Sequence, residues 1–181
     1  LPVGDEIAST SPVVLYFSES MAVARLGQAF QLVSTSGFGA PVPLLPAPLT
    51  GDGRVLLLLP VGPLAAETTY ELRFRDDVTV YDLSGTTLGQ PADKLVHSFT
   101  TAAEDPEDPR VLGSWPLDAS VDQGPTGEIA VIFDRAVQPL TVDLDSLAVT
   151  IDGATPSANP KPQTLEVPGL GPEPRVWTWR S

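Results

Sequence analysis

The fold is decided by a nine-residue stretch, residues 13–21 (VVLYFSESM), which occurs again in altered form as residues 129–137 (IAVIFDRAV). In the first copy Val13, Leu15 and Phe17 recur with a period of two before a polar turn begins. This alternation is typical of a half-buried β-strand, because successive side chains of a strand point to opposite faces. The offset between the copies is 133 − 17 = 116 residues.

A second pair of segments repeats at nearly the same distance. Residues 54–58 (RVLLL) return as residues 175–179 (RVWTW), at an offset of 175 − 54 = 121. Two nearly equal offsets predict two copies of one module, each long enough to be a domain.

The rest of the chain favours short strands over helices. It contains 20 Pro and 15 Gly in 181 residues, and no segment keeps helical spacing over three turns. Residues 55–59 are apolar on both faces, which predicts a central strand. Other strands are predicted at residues 29–33, 68–74, 78–80, 95–100, 111–115, 147–151 and 165–167. The predicted class is all-β, as two tandem antiparallel β-sandwiches.

The module boundaries follow from the repeat. The first sandwich spans residues 1–102, and we expect it to lack its first strand, because residues 1–12 show no counterpart of strand 111–115. Residues 103–109 (AEDPEDP) form an acidic linker that its prolines should stiffen. The second sandwich spans residues 110–181, and we expect it to be truncated, because counterparts of strands 68–74 and 95–100 would lie beyond Ser181.

Truncation would leave an open strand edge at the C-terminal end of the second sandwich. Trp177 and Trp179 would then line a gap in its core. Three outcomes follow: the missing strands lie outside the described structure, a strand from a neighbouring copy fills the gap, or the module is partly molten. The expected partners are therefore other domains of the same polypeptide or neighbouring copies.

Composition excludes several classes of partner. With 10 Lys and Arg against 23 Asp and Glu, the net charge is −13, which disfavours nucleic acid and anionic membrane surfaces. The chain has no cysteine, so disulfides and thiol chemistry are excluded. The sequence contains no run of 18 apolar residues, so no membrane-spanning helix is predicted. Because residue 1 is Leu, we expect that a signal peptide was removed or that the sequence starts within a longer chain.

Residues that could carry chemistry are few. The single histidine, His97, lies in a predicted strand, where a half-buried structural role is the simpler interpretation. The acidic pairs Asp5-Glu6, Asp76-Asp77 and Asp143/Asp145 lie at turns or strand ends, where aspartate commonly caps the backbone. We therefore predict no catalytic residues, no cofactor site and no enzymatic activity.

Two ligand classes remain open. The acidic clusters 143–145 and 104–108 could supply oxygen ligands to calcium, although neither has the glycine spacing of an EF-hand, and we predict no metal. Trp115, Trp177 and Trp179 could stack against sugars, but tryptophans at a period of two on a sandwich strand are typical of a core.

Four motifs in order resemble the bacterial Ig-like domain family named for S-layer proteins. They are residues 17–21 (FSESM, matched by FDRAV at 133–137), 62–70 (GPLAAETTY), 82–85 (DLSG) and 99–101 (FTT). Thr86 stands where the family pattern has Asn. The resemblance implies Ig-like sandwiches in which the rings of Phe17 and Phe133 fill one end of the core. In such a sandwich the Tyr70 hydroxyl would donate a hydrogen bond to a backbone carbonyl. Together with Phe74 and Val131, these side chains are predicted to be buried.

This resemblance implies a function without catalysis. The expected role is a spacer or assembly module of a larger exported bacterial protein, located extracellularly or at the cell surface. The alternative is a carbohydrate- or protein-binding module for adhesion, which should expose aromatic side chains on one face, whereas a spacer should bury them.

Overall fold

The computed structural model describes residues 5–36, 40–105, 107–116, 129–138, 162–168 and 170–179. The chain divides into two compact units, Leu1–Asp108 (unit 1) and Pro109–Ser181 (unit 2), a division that falls inside the acidic stretch 103–109. The side chains of Asp5 and Glu6, the acidic cluster 143–145 and the predicted strand 147–151 lie outside the described part.

The described elements are strands, apart from one helix of four residues. In chain order they are β1 (Asp5–Ile7), β2 (Val13–Tyr16), α1 (Val23–Leu26), β3 (Phe30–Ser34), β4 (Leu44–Pro48), β5 (Val55–Pro60), β6 (Thr69–Phe74), β7 (Leu95–Thr101), β8 (Val111–Trp115), β9 (Ile129–Phe133), β10 (Gln163–Val167) and β11 (Gly171–Trp179). The all-β prediction is confirmed.

Unit 1 is a sandwich of two sheets. One has the order β1-β7-β6-β3 and the other the order β2-β5-β4. The pairing is antiparallel except between β1 and β7, where Asp5 pairs with Thr100 in parallel. The sandwich is therefore antiparallel, as predicted, with one parallel pair at its edge. The parallel pair arises because β1 runs beside the last strand of unit 1 instead of forming a hairpin with β2.

The predicted central strand is β5. It lies between β2 and β4, and all six of its residues are buried. Leu56 and Leu58 face the core between the sheets, while Leu57 and Leu59 on the opposite face are also fully buried. A strand covered on both faces requires apolar residues at every position, which explains the run VLLLL.

The core of unit 1 is assembled from both sheets. Its members, besides Leu56 and Leu58, include Ile7, Val13, Leu15, Leu26, Phe30, Leu32, Leu64, Tyr70, Leu72, Phe74 and Phe99. The rings of Phe30 and Phe74 lie 5.0 Å apart between their centroids, and those of Tyr70 and Phe99 lie 5.9 Å apart. These aromatic pairs join neighbouring strands and stabilise the sheet beyond the burial of area alone.

One predicted strand is absent, and one observed strand was not predicted. Residues 78–80 are not a strand: beyond an isolated bridge between Tyr81 and Thr87 and a hydrogen bond from the Leu88 amide to the Val80 carbonyl (2.9 Å), no ladder forms there. Conversely, β4 was not predicted, since it contains Pro46 and Pro48. Proline cannot donate to a ladder, and β4 is indeed an edge strand.

Unit 2 contains one described sheet, of order β10-β11-β9-β8. β11 pairs with β9 on one side and with β10 on the other, so it is not an edge. Trp177 and Trp179 are 4% and 2% exposed. The expectation that these tryptophans line an open gap is therefore wrong, because β11 takes the central place in its sheet.

The two units share a strand register. In unit 1 Tyr16 pairs with Val55 and Leu15 with Leu56; in unit 2 Ile132 pairs with Val176 and Val131 with Trp177. The pair Ile132–Val176 is displaced along the chain from the pair Tyr16–Val55 by 132 − 16 = 116 and 176 − 55 = 121 residues. These are the offsets between the repeated sequence segments. In both units the other neighbour of the central strand is an edge strand. It is β4 beside β5 in unit 1 and β10 beside β11 in unit 2.

The burial predictions hold for three of five side chains. Tyr70, Phe74 and Phe133 are buried, whereas Phe17 and Val131 are only half-buried. Both exceptions still contact their core clusters. The phase of alternation was therefore right, and the difference lies in how completely neighbouring elements cover these two positions.

The turn before β5 offers a test of backbone geometry. Gly53 has a φ of +70°, and a Cβ there would lie 2.7 Å from both the Met21 carbonyl oxygen and Val23 Cγ1. We expect Gly53→Ala to destabilise the protein by at least about 2 kcal/mol, because the left-handed strain and the clash add. The measurement is urea denaturation followed by circular dichroism.

Gly51 in the same turn is the matched control. A Cβ there would meet nothing within 4 Å. Gly51→Ala should change the free energy of unfolding by less than about 0.5 kcal/mol. Equal effects of the two substitutions would contradict this interpretation of the turn.

Candidate functional site

The Asp-Leu-Ser-Gly motif forms a closed turn. The Asp82 carboxylate accepts hydrogen bonds from the Ser84 hydroxyl (2.8 and 2.9 Å) and from the Thr86 amide (2.7 Å). These bonds, led by that of Ser84, hold the pKa of Asp82 below its usual value. Gly85 has a φ of +88°, a left-handed conformation that glycine adopts without strain. Thr86 thus supplies its backbone to the turn, so the absence of the family's Asn leaves the turn intact.

This turn is tied to the segment after β2. The Ala22 amide donates to the Tyr81 carbonyl and the Leu83 amide donates to the Ser20 carbonyl, both at 3.0 Å. Two motifs 60 residues apart in sequence are therefore in direct contact. Their role in the described structure is to hold the two loops together.

Tyr70 makes a corner contact of the kind expected, with a different partner group. Its hydroxyl accepts a hydrogen bond from the Ala65 backbone amide at 2.9 Å, instead of donating to a carbonyl. Thr101 reinforces the same loop, since its hydroxyl donates to the Ala65 carbonyl (2.6 Å). The role of this motif, residues 63–70, is therefore structural: Tyr70 and Thr101 fix the loop before β6 by bonding the Ala65 backbone.

An acid and an arginine two residues later, here called a bracket, bond each other at corresponding positions of the two units: directly before β5 in unit 1 and within β11 in unit 2. The Glu173 carboxylate bonds the Arg175 guanidinium (2.6 and 2.9 Å) and also accepts from the Arg175 amide (3.1 Å). Asp52 bonds Arg54 in the same way, at 3.2 Å to Nε and 3.2 Å to the amide. The sequence repeat showed the two arginines, but the acids two residues earlier were overlooked.

The two brackets differ in burial. The side chains of Glu173 and Arg175 are 2% and 12% exposed, whereas those of Asp52 and Arg54 are 41% and 39% exposed. Burial raises the pKa of Asp52, but hydrogen bonds from Thr50, Arg54 and Ser20 and the charge of Arg54 outweigh it, so the net shift is downward.

The predicted candidates for chemistry do not come together. His97 is half-buried in β7 and stacks on Phe99, with 6.4 Å between ring centroids. Asp77 is bonded to Arg75 through both carboxylate oxygens (3.0 and 2.8 Å), while Asp76 is exposed in the same turn. Among the described residues no group of three or more His, Cys, Asp or Glu could hold a metal ion.

Part of the acidic linker is attached to unit 1. Asp105 accepts hydrogen bonds from the Ser9 amide (2.6 Å) and the Ser9 hydroxyl (2.8 Å). The Ala102 amide donates to the Ile7 carbonyl at 2.9 Å. Asp105 is therefore a structural ligand of the loop after β1, an interaction that its place in an acidic run did not predict.

Two of the concave regions on the described part of unit 1 are large enough to hold a small molecule. One is an apolar cleft of about 410 Å³ lined by Phe17, Phe30, Phe74 and Val96 among others. The other is a polar groove of about 610 Å³ that includes Arg25, Gln28, Gln31, Pro41 and Arg75. The sequence had not indicated this groove, because its residues come from three separate segments (25–31, 41–44 and 75–78) and share no motif.

Comparison with known families decides what unit 1 is. The model of the bacterial Ig-like domain family matches residues 3–101. The chain belongs to the bacterial Ig-like domain family. The match spans β1 to β7 and includes the Phe17, Tyr70, Asp82 and Phe99 motifs. No curated protein matches the chain.

Bacterial Ig-like domains of this family are typically modules of larger bacterial surface proteins. The Ig-like fold explains why the motif residues of unit 1 bond loops and strands to each other. No described helix is long and apolar enough to cross a membrane.

Proposed function

We propose that this chain is a non-catalytic structural module, a spacer or assembly element, of a larger exported bacterial protein at the cell surface or outside the cell. The observation that carries the proposal is the use of the family's motif residues. In the described structure Tyr70, Asp82 and Phe99 all bind backbone or core groups of unit 1.

The burial of the aromatic side chains supports the same role. Of the aromatic residues in the described ranges only Tyr81, at 43%, is exposed. A surface that binds partners by stacking would present several rings on one face. The spacer role requires only that the rings fill cores.

The shared register supports a second part of the proposal, that unit 2 is another copy of the Ig-like module. Its inward face carries Val131, Phe133 and Trp177 where unit 1 carries Leu15, Phe17 and Leu56. Other domains of the same polypeptide or neighbouring copies are the proposed partners. Strand addition would have to use an edge of the unit 2 sheet, β8 or β10, because β11 is central.

Single-molecule pulling from the two termini tests both parts. Two load-bearing modules should unfold in separate steps, with contour-length gains of about 350 Å and about 250 Å at roughly 3.5 Å per residue. A single step of about 350 Å would contradict the second copy. Extension without any force peak would contradict a load-bearing role.

A further inference from the structure

The polar groove of unit 1 carries an inference that is independent of the spacer role. Its walls come from α1 and the turn after it, the start of β3, the Pro41–Pro43 region and the turn after β6. From these observations we propose that the groove binds a saccharide bearing a carboxylate group.

The walls of the groove are held in place by the fold. The Val42 amide donates to the Leu32 carbonyl and the Arg75 amide to the Ala29 carbonyl, both at 2.8 Å. Prolines 41 and 43 restrict the backbone on either side of Val42. The backbone that carries the groove is therefore fixed, while the side chains of Arg25, Gln28 and Arg75 are exposed along it. Its volume of about 610 Å³ lies in the range of small-molecule sites.

The groove concentrates hydrogen-bonding groups that the described structure does not use. Arg25 makes no ion pair with any described residue, and the side-chain amides of Gln28 and Gln31 make no hydrogen bond within the described ranges. Arg75 bonds Asp77 through Nε and one Nη, which leaves its other Nη free to donate. Four side chains thus offer donors to one space.

The charge of the lining selects the ligand class. The groove is lined by two positive side chains, Arg25 and Arg75, and one negative side chain, Asp77. Its net charge is therefore +1, whereas the net charge of the chain is −13. A guanidinium pairs with a carboxylate in a bidentate geometry. An extended polyanion would be repelled by the rest of the surface, so a compact acid fits better.

The two glutamines favour a sugar over a simple acid. A carboxamide both donates and accepts, as does a hydroxyl group, so Gln28 and Gln31 suit a ring with several hydroxyls. Pro41 and Val42 supply apolar surface for the C–H face of such a ring. The proposed arrangement places the carboxylate at Arg25 and the hydroxyls at the two amides.

The test is a titration of the full chain with digalacturonate, followed by nuclear magnetic resonance. We expect the side-chain amide signals of Gln28 and Gln31 to shift with a millimolar dissociation constant. Arg25→Gln should weaken binding at least 10-fold while leaving the other signals in place. Arg54→Gln, which removes an arginine outside the groove, is the matched control and should not alter binding.

Two comparison ligands decide the class. Digalactose, which lacks the carboxylates, should bind at least 10-fold more weakly. Triglutamate should also bind more weakly, because it lacks the hydroxyls. Equal binding of triglutamate would overturn the saccharide assignment in favour of an acidic peptide site. Unshifted Gln28 and Gln31 signals, or binding that survives Arg25→Gln, would overturn the site.

Discussion

Glu173→Gln is expected to destabilise unit 2 by about 3 kcal/mol, because it removes the buried carboxylate charge that bonds the Arg175 guanidinium at two atoms. The Arg175 side chain is only 12% exposed and bonds both oxygens of Glu173. The measurement is urea denaturation, which does not screen charges, followed by tryptophan fluorescence. All three tryptophans lie in unit 2, so this signal reports on unit 2 alone.

The equivalent bracket in unit 1 is the control. Asp52→Asn removes the same charge from a pair that is about 40% exposed, and it should cost less than about 1 kcal/mol, read by hydrogen exchange of the β5 amides. Replacing both partners in unit 2, with Glu173→Leu and Arg175→Met, should recover most of the loss. If Glu173→Gln leaves the urea midpoint unchanged, the pair does not stabilise unit 2.

Phe133→Ala should lower the free energy of unfolding of unit 2 by about 3 to 5 kcal/mol. The Phe133 ring is buried with Trp177 and Trp179, and its removal leaves a cavity that these large side chains cannot readily fill. The urea midpoint of the tryptophan signal gives the change directly.

Val111→Ala provides the comparison in the neighbouring strand. Val111 is 60% exposed and lies opposite Phe133 across the β8–β9 pair. Its truncation should change the free energy of unfolding by less than about 0.5 kcal/mol. A Phe133→Ala loss as small as this would mean that the cluster around the tryptophans does not hold unit 2 together.

Strand positions were largely predictable because each depends on a local rule. Alternation identified the strand at Val13–Tyr16, and the doubly apolar run at Val55–Pro60 identified both a strand and its burial. β2 is more buried than its alternation predicted, since Val14 is covered as well as Val13 and Leu15. The proline-bearing β4 was not predictable in this way, since its place at an edge depends on which strand it meets.

Candidate sites were less predictable, for a similar reason. The Asp82 turn follows from local chemistry, because aspartate, serine and glycine define such a turn by themselves. The polar groove joins Arg25, Gln31, Pro41 and Arg75, which come from different parts of the chain. No spacing rule connects residues that meet only after the two sheets have packed.

The sequence by itself determined the all-β class, the central position of β5 and the offsets that relate the two units, because these depend on the period and repetition of apolar residues. Only the tertiary structure decided the parallel β1–β7 pair, the central place of β11 and the different burial of the Asp52 and Glu173 brackets. Similar local patterns can be buried or exposed, since burial depends on which neighbours the completed fold brings against them.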